Sequence, residues 1–596
     1  MCRRFSLQCC CHAFFLIIFA AICFGQNAGQ TASGGSQTQT SQTTTLRVAT
    51  RLVLVDVVAS DKKGAPVNDL KAEEFTVQEE GADQPVQVFS FHHPGTQPEP
   101  PADAFAAPGK LPAGVYTNVP QYKTGGALNV VLLDALNSDL LDQAAMRDAM
   151  ISFLEKVPAG EPIAIYLLGN KLTLVQDFTS DPELLRKAVA SIKRQGSRGM
   201  SNAAGNTRDA MMPIGSVAAD TMATMMPALQ GKLAEFRDQQ AAMQADFRVG
   251  LTLDALNALA RSLAGYSGRK NLIWISESFP VTIMQDKLAS NNNRDYAAAV
   301  ARTGSMLSNA QVAIYTVDAR GLAGSSQFAV GSDPNPQSSP QRIKQTIGGE
   351  TLSEVSRETT ESTAEHTTMN DLAEKTGGRA FYNVNNIEAA VRKSMDDGST
   401  YYTLGYYPTN KDWDGKFRRI TVKTNRPGVK LHYRQGYFAV EPESYARLDA
   451  SQKSGDLARS LNLDFPTSTA LRFQAAVMLP GPGSKKVTVN YAVNARQLTF
   501  ELGTDGLQHA SVDCAVIVYS QKGETLQTLS NTMVAALKPD EYNRVMQKSF
   551  PCRQSFEVEP GEYLLRLGVR DARTGLLGTL NAPLTVAVEQ PAEKKQ

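Results

Sequence analysis

The sequence carries almost no net charge, with 60 lysine and arginine residues against 59 aspartate and glutamate residues, a formal net charge of +1. This balance gives the chain no net positive charge that would attract nucleic acid or an anionic membrane. We therefore expect no nucleic-acid partner and a ligand that is recognised by local contacts. Known enzyme signatures are also missing. There is no G-x-S-x-G, H-E-x-x-H or P-loop, and no C-x-x-C beyond the N-terminal segment. We therefore predict that the protein is not an enzyme.

Cysteine is scarce beyond residue 25, because five of the seven cysteines lie before it. In the same segment Arg3 and Arg4 precede an apolar run, and small and polar residues follow from Gly25. This pattern is typical of a secretory signal peptide over residues 1–25. It predicts an exported protein, periplasmic, cell-surface or extracellular, without a transmembrane domain in the mature chain. Acylation of Cys23 as a lipoprotein anchor, or an uncleaved membrane anchor, remains an alternative.

The two remaining cysteines are Cys514 and Cys552. An even pair in a protein predicted to be exported favours a disulfide bond between them. In the chain-entropy model, closing a loop of this span would stabilise the fold by about 4 kcal/mol. Two buried free thiols are the alternative.

The 596-residue chain is longer than one hydrophobic core usually serves, which predicts two to four domains. Residues 26–47 are mainly Gln, Thr, Ser and Gly, and we expect a disordered tether there. Alternating apolar and polar residues separated by turn signals predict a small β-domain over 48–91. Residues 92–126 are rich in Pro, Ala and Gly and are predicted to form a linker.

Strand and helix patterns alternate over residues 127–400, which predicts a multidomain chain with a central doubly wound, largely parallel α/β sheet. Two insertions are expected in this domain, at 196–245 and 321–368. Residues 401–442 return to strand patterns and are predicted to form a β-ribbon extension. Residues 465–590 contain short strands separated by turn signals, and this pattern predicts an Ig-like β-sandwich.

Several short phrases are spread over the first two thirds of the chain. They are Asn68-Asp69-Leu70, Glu74-Phe75-Thr76-Val77, Leu132-Leu133-Asp134, Arg269-Lys270-Asn271-Leu272-Ile273-Trp274, Asp371-Leu372-Ala373, Thr376-Gly377-Gly378, Tyr401-Tyr402-Thr403-Leu404-Gly405-Tyr406 and Arg434-Gln435-Gly436-Tyr437. In these phrases the sequence resembles the VWFA-related domain family best known from acidobacterial secreted proteins, from about Thr50 to Val440. The resemblance implies a central fold like that of the von Willebrand factor A domain.

The loop Asp134-Ala135-Leu136-Asn137-Ser138 resembles the Asp-x-Ser-x-Ser signature of the metal-ion-dependent adhesion site of such domains. Asp134 matches the first carboxylate and Ser138 the second serine, whereas Leu136 stands where the first serine is expected. Ser201 is the candidate for the threonine loop and Glu277 for the last carboxylate. The resemblance implies a degenerate site for Mg²⁺ or another divalent cation. The alternative is that Asp134 caps the following helix and Glu277 is solvated.

These observations favour an exported protein-binding or adhesion module whose ligand is a protein or a cell-surface group. A purely structural scaffold or assembly factor without metal is the first alternative. The second is a metal-dependent hydrolase with Asp134 and Glu277 as acid and base.

Overall fold

The computed structural model describes residues 52–94, 111–120, 126–157, 160–193, 227–278, 297–320, 366–384, 386–463, 465–481 and 484–587. The predicted signal peptide, the predicted tether and Ser201 lie outside these residues, as does most of both predicted insertions. Among the helices of the described residues, none combines the length and the apolar character that crossing a membrane requires.

The strands, in chain order, are β1 (Val53–Ser60), β2 (Phe75–Glu79), β3 (Ala82–Gln84), β4 (Val88–His92), β5 (Val115–Thr117), β6 (Leu128–Asp134), β7 (Ile163–Leu168), β8 (Leu172–Thr179), β9 (Lys270–Ser276), β10 (Val312–Asp318), β11 (Ala380–Phe381), β12 (Tyr401–Tyr406), β13 (Phe417–Thr424), β14 (Lys430–Tyr433), β15 (Gly436–Phe438), β16 (Phe473–Met478), β17 (Lys486–Val493), β18 (Glu501–Leu502), β19 (Gln508–Ser520), β20 (Thr525–Leu537), β21 (Phe550–Glu557), β22 (Gly561–Asp571) and β23 (Leu577–Val586). The helices are α1 (Leu140–Lys156), α2 (Pro182–Ala190), α3 (Pro227–Leu263), α4 (Ala297–Asn309), α5 (366–376), α6 (Ile387–Ser399), α7 (Ala450–Ser460) and α8 (Pro539–Gln547).

The central sheet has the strand order β11-β10-β9-β6-β7-β8, and all neighbouring pairs are parallel except β7 with β8. Its inner strands are buried along their whole length, because helices cover both faces of the sheet. On one face α1, α2 and α6 supply apolar side chains, and on the other α3, α4 and α5 do so. This is the doubly wound α/β sheet that the sequence predicts over 127–400.

The insertion predicted over 196–245 ends inside a helix. The sequence indicates a helix from Val249 to Leu263, whereas α3 runs from Pro227 to Leu263. The earlier half of α3 exposes Phe236, Met243 and Phe247. Helix-forming residues such as Ala, Gln, Leu and Met favour the continuation of the helix through this half.

The predicted small β-domain and the predicted β-ribbon are one β-sandwich, which corrects the prediction of two separate units. One sheet has the order β14-β1-β12-β4 and the other β15-β13-β2-β3, so each sheet takes strands from both segments. The two sheets share one apolar core, which includes Val55, Tyr402 and Val422. Neither segment alone has enough strands to bury its apolar face, which is why the two associate. The α/β domain is therefore inserted between the two halves of this sandwich.

The segment 92–126, predicted as a linker, contributes a strand to the C-terminal domain. Strand β5 pairs antiparallel with β16, and Gln474 lies opposite Thr117. Next to β5, the Asn118 side chain donates hydrogen bonds to the carbonyls of Ser468 and Leu471 and accepts one from the Phe473 amide, each 2.8 Å long. A three-residue strand is too short to show a two-residue period, so the composition alone indicated a linker.

The C-terminal domain packs two antiparallel sheets, β21-β17-β16-β5 and β18-β19-β22-β23, with β20 paired to β19. Their facing side chains form one core that includes Phe473, Val489, Val516 and Leu567. The sandwich predicted over 465–590 is thus present as two facing sheets, extended by β5 from outside that range. The sequence indicated neither β20 nor α8.

The predicted disulfide is absent: Cys514 and Cys552 are buried free thiols. They lie on facing sheets, in β19 and β21, within the apolar core of the C-terminal domain. The neighbouring Cys552 and burial raise the pKa of Cys514 above its ordinary value. The structure thus corresponds to the alternative of two buried free thiols.

A buried ionic network lies in the core of the first sandwich, and its Tyr406 hydroxyl links one sheet to the other. Arg418 donates to Glu79 Oε1 at 3.1 Å, and both side chains are almost wholly buried. The hydroxyls of Tyr406 and Tyr437 donate to Glu79 Oε2 at 2.8 and 2.9 Å. Removing one partner would leave a buried charge without its counter-charge.

We expect Arg418→Met to destabilise this sandwich by about 3–5 kcal/mol, since the Glu79 carboxylate would keep only its tyrosine donors. Lys416→Met is the matched control, because Lys416 pairs with Asp414 on the surface, and no measurable change is expected. Hydrogen exchange of β2 and β13 under denaturant measures this sandwich separately from the other domains. Equal protection in the two variants would contradict the prediction.

Candidate functional site

The carboxyl ends of β6 and β9 form the candidate site. From β6 the chain passes through α1 to β7 on one side, and it later returns to β9 on the other side of β6. Helices α1 and α3 therefore lie on opposite faces of the sheet, which opens a crevice where the strand order reverses. In open α/β sheets, ligands bind in such a crevice.

Asp134, the last residue of β6, is wholly buried and accepts five hydrogen bonds. Its Oδ1 accepts from the amides of Leu136 and Asn137 at 3.1 and 3.0 Å. Its Oδ2 accepts from Asn137 Nδ2, Trp274 Nε1 and Ser276 Oγ at 2.9, 2.9 and 3.1 Å. Burial raises the pKa of Asp134, and these donors oppose that rise.

The structure corrects the interpretation of Asp134 as the cap of the following helix. Its role as a cation ligand stays a prediction, and both of its oxygens accept hydrogen bonds from protein donors. The helix cap is Asp139 instead, whose Oδ1 accepts from the amides of Leu141 and Asp142 at 2.8 Å each. Asp134 shapes the loop between β6 and α1.

Ser138 and Glu277 lie together, as the sequence predicts. Ser138 is buried, and its Oγ accepts from the Glu277 amide at 3.0 Å. Glu277 Oε2 in turn accepts from the Asp139 amide at 2.7 Å. Leu136, at the position of the first serine, is buried in the apolar core beside α3. The loops after β6 and β9 are thus bonded to each other in both directions.

Sequence analysis missed two residues of this crevice, Asp139 and Asp142. One carboxylate oxygen from each of them and one from Glu277 lie within 4.8 Å of one another. The sequence contained a signal for Asp139. An aspartate just before a helix often caps that helix, and a helix that follows a buried parallel strand starts at the carboxyl edge of the sheet, where ligands bind. The first turn of α1 then brings Asp142 next to Asp139.

The electrostatics of the three carboxylates favour a bound proton or cation. Burial, together with the nearby Asp142 and Asp139 charges, raises the pKa of Glu277 to about 7, although the Asp139 amide and Arg320 oppose this rise. Burial also raises the pKa of Asp142, which shares a hydrogen bond with Glu277. Near pH 7, Glu277 is therefore protonated in about half of the molecules.

A third loop borders the crevice at the end of β10. Asp318 accepts from Arg320 Nη2 at 2.8 Å and lies 3.4 Å from His366 Nε2. The positive charge of Arg320 opposes the rise in the pKa of both Asp142 and Glu277, without cancelling it. Asp318 is already engaged by Arg320, so the carboxylates available to a ligand are those of Asp139, Asp142 and Glu277.

These three carboxylates suit a hard divalent cation such as Mg²⁺, Mn²⁺ or Ca²⁺, whose preferred ligands are oxygens. Asn137 adds a second observation at the same loop. It is wholly buried, and its Oδ1 has no hydrogen-bond partner among the described residues. A buried acceptor without a donor is costly, and a bound water is one donor that would satisfy it.

No protein-family model matches the chain, and no curated protein matches it. Solved structures that it is similar to include an aerotolerance-related membrane protein of Bacteroides fragilis, at 11% identity and TM-score 0.23 over 46% of this chain and 99% of that one. Another is the ArnB paralogue VWA2 of Sulfolobus acidocaldarius, at 9% identity and TM-score 0.19 over 90% and 76%. A third is a von Willebrand factor type A protein of Catenulispora acidiphila, at 9% identity and TM-score 0.19 over 85% and 74%.

These neighbours include von Willebrand factor A-type proteins. Their TM-scores of 0.23 or less are too low to carry an argument about function. A function for this chain must therefore rest on the sheet topology and the site geometry. The narrower resemblance to the acidobacterial VWFA-related family stays a prediction.

We expect the stability of the protein without divalent cations to fall as pH rises through about 7, because Glu277 is accommodated in its protonated form. Because the pKa of Glu277 is raised in the folded protein, the stability that its protonated form contributes is complete below the ordinary pKa of 4.5. This stability is lost as Glu277 ionises. Glu277→Gln stays neutral, so its melting temperature should exceed that of the wild type by several degrees at pH 8 and not at pH 5. Glu155→Gln, an exposed change on α1, is the control. A constant difference across this range would exclude the raised pKa.

Proposed function

We propose that the carboxyl edge of the central sheet is a protein-binding face that acts through a divalent cation held by Asp139, Asp142 and Glu277. The supporting observation is the convergence of these carboxylates from two loops at the switch point of the sheet. The protein would then be a von Willebrand factor A-like binding module without enzymatic activity. Export to the periplasm, cell surface or medium stays part of this proposal.

The cation would be bound differently from the arrangement that the family signature implies. Asp134 and Ser138 act behind the site, since both are buried and bonded to the two loops. The carboxylates that could contact the ion lie one loop further along, where Asp139 starts α1. With three carboxylates as its ligands, the protein leaves coordination positions to water or to a partner.

Exposed apolar side chains beside the cluster indicate what kind of partner fits. Leu140 and Leu141, in the first turn of α1, are 48% and 78% exposed. A protein partner would offer a carboxylate to the cation and apolar side chains to these leucines. Apolar contacts around one buried polar anchor are typical of protein interfaces.

The first experiment measures cation binding by calorimetry with Mg²⁺, Mn²⁺ and Ca²⁺ added singly. We expect one saturable site in the wild type, weakened roughly tenfold or more in Asp142→Asn and Glu277→Gln, because each loses a charged oxygen ligand. Asp148→Asn is the control, since Asp148 is an exposed carboxylate on the same helix. Asp134→Ala is unsuitable, because it would leave five donors without an acceptor.

The outcomes separate the three functions. Saturable binding that the two variants lose supports the cation-dependent module. Absence of binding in the wild type supports a scaffold without metal, and cation-dependent turnover of phosphate or carboxylate ester substrates would indicate a hydrolase.

The affinity for the cation should also depend on pH. With a Glu277 pKa of about 7, a proton competes with the cation below neutrality. We expect binding to be about tenfold weaker at pH 6 than at pH 8 in the wild type, and the dependence to disappear in Glu277→Gln. Equal affinities at the two pH values would show that the ion does not replace this proton.

A further inference from the structure

Strand β20 is a long edge strand of the C-terminal sandwich. It pairs with β19 along nearly all of its 13 residues. Within the described residues, no strand pairs with its other side. Its exposure alternates: Leu529, Met533 and Ala535 contact the sandwich core, whereas the even-numbered residues from 526 to 536 are exposed. One row of backbone groups is therefore open to another strand along a length of about 44 Å.

The composition of β20 lacks the features by which edge strands usually avoid pairing. Its sequence, TLQTLSNTMVAAL, contains no charged residue, no proline and no glycine. The other described edge strands of eight residues or more each carry a charge or a proline: β8 has Asp177, β21 has Pro551 and Arg553, and β23 has Pro583. Exposed edges without such residues serve as templates for strand addition.

The exposed face of β20 is nearly palindromic about Ser530. From one end to the other it presents Leu526, Thr528, Ser530, Thr532 and Val534. In an antiparallel pair of two copies centred on Ser530, Leu526 would face Val534, Thr528 would face Thr532, and Ser530 would face its own counterpart. Leu526 and Val534 are 54% and 73% exposed, so this register would cover the two largest apolar side chains on that face.

We infer that the partner of β20 is a second copy of this chain, paired antiparallel about a two-fold axis through Ser530. Directly opposite apolar and threonine pairs stabilise antiparallel strands, and a face without charges avoids the like-charge contacts that self-pairing otherwise creates. The arrangement is isologous, so it closes after two copies and does not propagate into a fibre. It would join two C-terminal sheets into one continuous sheet.

The test changes the residue on the axis, with the full chain and without divalent cations, so that its result is independent of the cation site. Wild type should have twice the mass of one chain by light scattering. Ser530→Lys and Ser530→Glu should each weaken dimerisation roughly tenfold or more, since each places like charges opposite each other. An equimolar mixture of the two variants should recover the dimer, because Lys then faces Glu. Thr585→Lys, an exposed change on the opposite edge strand β23, should leave the dimer unchanged.

Three results would overturn the inference. A monomeric wild type would mean that β20 stays unpaired between copies or is covered by another segment of the chain. Dimers that persist in both Ser530 variants would place the interface elsewhere. Monomers in the mixture, with both variants still folded by their melting temperatures, would exclude the two-fold register.

Discussion

The candidate site depends on the burial of one carboxylate. Asp134 collects five hydrogen bonds from the loop that follows β6 and from Trp274 and Ser276 of β9. These bonds join two neighbouring strand ends that are far apart in sequence. These bonds stabilise the conformation of the loop between β6 and α1, in which Ser138 accepts from the Glu277 amide and Asp139 caps α1. Buried hydrogen bonds thus support the cluster of carboxylates at the edge of the sheet.

The same loop determines which side chains reach the crevice. With leucine at position 136, the side chain there packs in the apolar core and supplies no oxygen. Both side-chain oxygens of Asp134 accept hydrogen bonds from protein donors. The carboxylates left beside the crevice are those of Asp139, Asp142 and Glu277, and their mutual repulsion contributes to the raised pKa of Glu277. In the proposed function, a cation would compete with the proton at Glu277.

The domain arrangement follows from the need to close β-sheets. Strand β1 pairs with β12 and β14, which lie more than 340 residues later in the chain, and β5 pairs with β16. Such long-range pairing ties both sandwiches to the α/β domain through the chain itself. Only β20, in the part of the chain that the structure describes, combines great length with an edge that carries neither charge nor proline. The proposed dimer would complete a sheet that the single chain leaves open.

The sequence by itself determined the local elements: the buried strands β6, β7, β9 and β10, the helices between them and the return of Ser138 and Glu277 to one edge. These follow from apolar runs and helix caps, whose effects extend over a few residues. Tertiary structure alone decided that residues 53–92 and 401–438 form one sandwich, that 115–117 join the C-terminal sheet, and that Asp139 and Asp142 lie beside Glu277. The reason is physical: strand partners and the hydrogen bonds of a buried carboxylate depend on groups distant in the chain, which no local pattern records.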